Sequence, residues 1–176
     1  MACDMDKLLG DGRDVCLLID ESGFAKQGKG SVGVSRHWLG RLEKVDNGQV
    51  AVFGDLANGQ FAVPIDALLY LPEEWTDDPQ RCKRAGVPED QGSFRTKSEL
   101  ALEIVRHARE NGLRFGWAGA DAGYGKGPGF CSALDDMGET FVVDVQSDFP
   151  LVAARSSALS ASKDEQSWTS VHKVSN

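Results

Sequence analysis

Asp20 and Asp121 are the residues of this chain best placed, by type and position, to do metal-dependent chemistry. Asp20 closes the apolar run DVCLLID (Asp14 to Asp20), and Asp121 follows LRFGWAGA (Leu113 to Ala120). Each run has the length and composition of a strand. If the two strands are neighbours, the carboxylates meet at one edge of a sheet. Two adjacent carboxylates repel, which raises the proton affinity of one of them unless a cation lies between. Hard oxygen ligands suit Mg²⁺ or Mn²⁺. Such an ion activates a water and stabilises a leaving oxygen in phosphoryl transfer. The same residues also suit a plain structural role, because Asp at a strand end commonly forms a turn or caps a helix.

Other candidates are weaker. Glu21 follows Asp20 directly, and on a continuing strand it faces the other side. Lys26 and Lys29 lie in GFAKQGKGSVGV, where they could touch a phosphate or simply be solvated. Asp46 and Asn47 read as turn residues. The run GADAGYGKGPG resembles a phosphate loop but fails the Walker A pattern. Ala120 stands where the first glycine belongs, and Gly127 where Ser or Thr would bind Mg²⁺. The GxGxxG dinucleotide fingerprint is also absent, so no nucleotide cofactor is expected. His37, His107 and His172 are dispersed, with His107 reading as a surface residue. Trp38, Trp75 and Trp117 could stack on bases, although packing is their default role.

The elements that must position the two acids can be read in order. After the first strand come strand candidates at Gln49–Phe53 (QVAVF) and Gln60–Tyr70 (QFAVPIDALLY). Asn58-Gly59 between them is a turn signal. Pro64 favours an edge or a bulge. Residues 71–95 read as an irregular, charged insertion with three prolines in Leu71 to Phe94 and a short helix near Asp78 to Ala85. Thr96 and Glu99 then form a capping box. The helix that follows has Leu100, Ile104 and Ala108 on one face and Gly112 as its stop. Beyond Asp121, Pro128 starts a helix to Met137 that buries Phe130 and Leu134, and Thr140–Val145 is a last strand. Three strands with short turns predict an antiparallel meander, and the later strand–helix–strand unit predicts parallel pairing. The expected fold is α/β, a mixed sheet with flanking helices. Residues 1–13 form a lead, 14–152 the domain, and 153–176 a Ser-rich tail without a packed core.

Composition sets outer bounds. A chain of 176 residues, 41% hydrophobic, can build one domain with a core. No apolar run is long enough to span a membrane, and the start does not resemble a secretory signal. The four cysteines (Cys3, Cys16, Cys82 and Cys131) form no CxxC and fit reduced thiols, hence a cytoplasmic location. The net charge of −8 argues against this stretch gripping nucleic acid tightly by itself.

Longer motifs carry a more specific signal. The segment LLIDESGFAKQGKGSVGVSRHWLGRLEKVDNGQVAVF resembles the opening of the catalytic domain of bacterial insertion-sequence transposases of the DDE superfamily. LYLPEEWTDDPQRCKRAGVPE, FRTKSELALE and WAGADAGYG continue the resemblance in order, over roughly Val15 to Val145. The resemblance implies an RNase H-like fold, Mg²⁺ or Mn²⁺ as cofactor, and transposon-end DNA as partner. It also implies cleavage and joining of that DNA, with Asp20 and Asp121 as the first two metal-binding acids of three. The family's third acid is a Glu on a helix well beyond the second Asp. No later segment here resembles that helix. Glu165, in SKDEQSW, has the wrong context, and Asp144 sits on a strand. The expectation is therefore an incomplete catalytic domain, inactive or impaired alone, marginally stable and prone to self-association. The alternative is a truncated remnant that at most associates with DNA or a transposase.

Overall fold

The computed structural model describes residues 8–10, 12–126, 128–145 and 169–172. The first strand, β1, spans Cys16–Ala25. Its Leu17 and Ile19 are buried while Leu18 between them is exposed, the alternation of a strand with one covered face. It does not stop at Asp20, as the apolar run suggested. It continues for five residues because the long strand β3 (Lys44–Ala57) pairs with it throughout, from Cys16↔Ala57 to Ala25↔Gly48. A short strand β2 (Ser35–Leu39), not foreseen from the sequence, pairs with the start of β3. Strand β4 (Ala62–Leu69) pairs with the end of β3. The Asn58-Gly59 turn joins them: Gly59 has φ +85°, and Asn58 Oδ1 accepts from the N–H groups of Gln60 and Phe61. The ladder skips a residue beside Pro64, so the proline sits at a bulge on an outer strand.

The insertion holds two short helices, α1 (Glu73–Thr76) and α2 (Pro79–Arg84). They pack on a small core of Val34, Trp75 and Cys82. Trp75 Nε1 donates to the Val34 carbonyl at 2.9 Å, and the Arg81 guanidinium lies 3.8 Å from the Trp75 ring centre. The long helix α3 (Lys97–Glu110) starts with the expected capping box. Glu99 N–H donates to Thr96 Oγ1, and Thr96 N–H donates to the Glu99 carboxylate. Its buried stripe, Leu100, Ala101, Ile104, Val105 and Ala108, covers one face of the sheet. Contact is close at Gly54, where a Cβ would stand 2.4 Å from Ile104 Cγ2.

Strand β5 (Trp117–Ala120) is half the length expected. Helix α4 (Pro128–Asp136) buries Phe130 and Leu134 against the same face as α3, and strand β6 (Phe141–Val145) follows. Within the segment read as a Ser-rich tail, Thr169–His172 form an unforeseen strand, β7, antiparallel to β6. The rest of 153–176 lies outside the described residues.

The sheet order is β2-β3-β1-β5-β6-β7, with β4 also on β3. β1, β3 and β4 form the antiparallel meander, while β5 and β6 run parallel to β1. This mixed sheet, with helices between its later strands, is the RNase H-like arrangement that the resemblance implied. Among the described residues no helix is long and apolar enough to cross a membrane.

Candidate metal centre

The parallel ladder of β1 and β5 runs from Cys16↔Trp117 to Ile19↔Ala120. The next residue on each chain is an acid: Asp20 on β1 and Asp121 just past β5. One hydrogen-bond register therefore sets the two candidate residues side by side. Each is further oriented by its own backbone. Asp20 Oδ1 accepts from the Glu21 N–H at 2.7 Å, and Asp121 Oδ1 accepts from the Gly123 N–H at 2.8 Å. The turn after Asp121 is closed by Tyr124 N–H and Gly125 N–H, both donating to the Asp121 carbonyl. Asp121 thus performs the turn-forming role allowed for it, without using up its carboxylate. Among the described residues no hydrogen bond is recorded to Oδ2 of either acid.

The electrostatics agree with the register. Partial burial holds the Asp20 carboxyl above its ordinary pKa. The Glu21 N–H opposes this, while the neighbouring Asp121, Glu21 and Asp55 carboxylates add to it. Free Oδ2 atoms on two repelling carboxylates are a donor set that fits a hard divalent cation. Asp144 extends the line: β6 pairs with β5 up to Ala120↔Val143, so Asp144 is the next residue on its strand. Even so, no group of three or more His, Cys, Asp or Glu among the described residues could hold a metal ion. Glu165 lies outside the described residues.

Glu21 faces away from Asp20, as strand alternation required. Its Oε2 is 2.6 Å from Lys97 Nζ, at the start of α3. Lys97 and Tyr124, which the sequence reading did not single out, thus stand beside the acids. The only advance signals were the capping box, which fixed where α3 begins, and the turn after Asp121.

One further expectation changes, and the other residues singled out are placed as follows. Asp46 and Asn47 lie within β3 and not in a turn. The Asn47 side chain reaches across to donate to the carbonyls of Lys26 and Gly28 at 2.8 and 2.7 Å, pinning the Gly-rich loop. His107 is tied to the sheet through Nδ1, 2.7 Å from Asp66 Oδ2. The tryptophans divide: Trp75 is core, whereas Trp38 is exposed.

Comparison with known proteins gives the family. A family model described as DDE superfamily endonuclease matches residues 1–167. A probable transposase for insertion sequence element IS701 from Microchaete diplosiphon is 33% identical over 140 residues, 78% of this chain. The chain spans about a third (33%) of that relative's length. No solved structure matches. By the family-model match over residues 1–167 and the 33% identity to that relative, the chain belongs to the DDE superfamily endonuclease family.

Proposed function

We propose that this chain forms part of the catalytic domain of a DNA transposase, in which Asp20 and Asp121 hold the divalent metal. The observation that carries this reading is the β1–β5 register, which puts the two acids in adjacent positions. The ion, Mg²⁺ or Mn²⁺, would supply a polarised water or 3′-hydroxyl and neutralise charge on the leaving oxygen. The chain's own part is positional. Two backbone N–H groups fix the carboxylates, and a rigid sheet holds them at a set spacing.

DNA as the substrate finds support in charge distribution. The net charge is −8, yet the stretch from Ser22 to Leu42 holds Lys26, Lys29, Arg36 and Arg41 and no acid. Arg81 on α2 donates to the Lys29 carbonyl at 3.3 Å, which brings α2, with its Lys83 and Arg84, to the same loop. Among the described residues, no ion pair is recorded for Lys26, Lys29, Lys83 or Arg84. These cations are free to meet phosphates. These cations lie together although the chain as a whole carries a net charge of −8.

The test is cleavage. With Mn²⁺ and a duplex carrying the ends of its element, the protein containing this domain is expected to nick at the element boundary. Asp121→Ala should slow nicking at least ~100-fold, the upper end for losing even a group that supports a metal ligand. Undiminished nicking by Asp121→Ala would contradict the assignment.

A further inference from the structure

β1 divides its side chains between the two faces of the sheet. Leu17 and Ile19 belong to the core under α3, so strand alternation puts Asp20, Ser22 and Phe24 on the opposite face. The β1–β3 register sets Phe53 directly across from Asp20 on that same face, and Ala51 across from Ser22. Phe24 is 50% exposed. Its ring meets that of Phe53 edge to face, with centres 6.2 Å apart. Asp20 and Phe24 are separated by about 13 Å of strand. The ring pair therefore occupies the face from beside the candidate metal ligand to the end of β1.

Beyond the rings the face turns cationic. Asn47 and Gln49 share the row of Ala51 and Phe53 on β3. Their side-chain amides donate to the carbonyls of Lys26, Gly28 and Val32, which lays the Gly-rich loop on this face. Lys26 and Lys29 of that loop are exposed. In the other direction acids accumulate. Asp55 lies across from Leu18, and Asp121 and Asp144 follow Ala120 and Val143 in the β5 and β6 registers. A polyanion with one phosphate at Asp20 is thus repelled one way and drawn the other, over the rings toward the loop.

A phenyl ring offers a phosphate nothing, but it offers a base a surface on which to stack. Bases inside a duplex are stacked on both sides already, so only an unpaired one can use it. The row of carboxylate, rings and ammonium groups matches the order phosphate, base, phosphate along one strand. A purely apolar partner would leave the lysines without a role.

We propose that Phe24 and Phe53 form a stacking site for an unpaired base next to the phosphate held at Asp20, with the strand leaving toward Lys26 and Lys29. The inference rests on the reading of the protein as acting on DNA. It adds the form in which the strand is taken, opened and not paired beside the reacting position.

The test compares two duplexes of equal length, one fully paired and one with its last few positions mismatched and open. Binding to the protein containing this domain is followed by fluorescence anisotropy in Ca²⁺. Wild type is expected to prefer the open end about 10-fold, within the range that stacking of one base provides. Phe24→Ala and Phe24→Leu should both lose the preference, whereas Phe24→Trp should keep it. Lys29→Gln should lower the salt dependence by about one phosphate contact. A photoreactive iodouracil in the open segment should cross-link to Phe24 or Phe53. Equal binding of both duplexes by wild type, a preference that survives in Phe24→Leu, or cross-links only elsewhere would overturn the site. So would a change of oligomeric state or a melting temperature several degrees lower in Phe24→Ala, by showing that the ring packs against polypeptide. If wild type binds neither duplex, the functional reading falls and this inference with it. Equal binding of the two removes the stacking site alone.

Discussion

Asp20→Asn and Asp121→Asn are each expected to lower the affinity for Mn²⁺ at least ~100-fold, while leaving the metal-free protein equally or more stable. The affinity loss follows from the shared ion. Losing a group that merely supports a ligand costs about 10–100-fold, and these two are the ligands themselves. The double variant should lose little more than either single one, because residues that act on one ion are not additive. Mn²⁺ titration followed by electron paramagnetic resonance measures all three.

The stability part follows from the sign of the Asp20 shift. Its pKa is raised in the folded protein, by burial first and by neighbouring carboxylates second. Its contribution is thus fully present below the unfolded value of about 3.9. It is lost as pH rises through the folded value. Relative to wild type, Asp20→Asn should gain nothing near pH 3 and its full advantage by neutral pH. Solvent screening at this exposed carboxyl keeps the gain small. About 1–2 °C in melting temperature is expected, the shift that ~0.5 kcal/mol produces in a domain of this size. A metal-free Asp20→Asn that melts several degrees lower at pH 7 would contradict the account. Saturating Mn²⁺ should reverse the order, stabilising wild type and not the variant.

Gly125→Ala is expected to be among the most damaging single changes. A Cβ at Gly125 would stand 2.1 Å from the Asp144 carbonyl oxygen, in the backbone of β6. That contact cannot be relieved by a side-chain rotation, so either the β6 edge or the turn after Asp121 must move. Overpacking costs typically 1–3 kcal/mol where side chains can adjust, so about 3 kcal/mol or more is expected against backbone. The turn carries Asp121, and Gly125 N–H donates to its carbonyl at 3.3 Å. Metal affinity should therefore fall together with stability. Chemical denaturation and the same Mn²⁺ titration test both. Wild-type behaviour in each would mean that the turn packs differently.

What was legible in the sequence follows from how local each signal is. The capping box at Thr96 and Glu99 is a four-residue event, and the helix it starts appears where expected. The Asn58-Gly59 turn and the bulge at Pro64 are likewise set by residues at the spot. Strand lengths were less legible, since partners decide them. β1 continues past Asp20 through residues of low apolar content because β3 offers fourteen residues to pair with. β2 was hidden for the same reason: SRHWL is a strand by virtue of the β3 edge, not its own composition.

The candidate site shows the same division. The two aspartates could be named from motif and strand position. Their adjacency is a property of the β1–β5 register, which links residues about a hundred positions apart and leaves no local trace. Lys97 and Tyr124 were missed because each reads as ordinary alone, a helix-start lysine and a turn aromatic. Only folding brings them to one cleft with Glu21. Lys29 and Arg81 meet because the fold brings α2 to the Gly-rich loop, which the net charge of the whole chain does not show.

The central claim is that Asp20 and Asp121 jointly hold one divalent ion at the end of β5. Cleavage of the polypeptide by iron tests it most directly. Fe²⁺ placed in a Mg²⁺ site generates hydroxyl radicals with peroxide and ascorbate, and these cut the nearby backbone. The account predicts cuts clustered around residues 20 and 121, suppressed by excess Mg²⁺ and absent in Asp20→Asn. Cuts elsewhere, or an unchanged pattern in that variant, would contradict it.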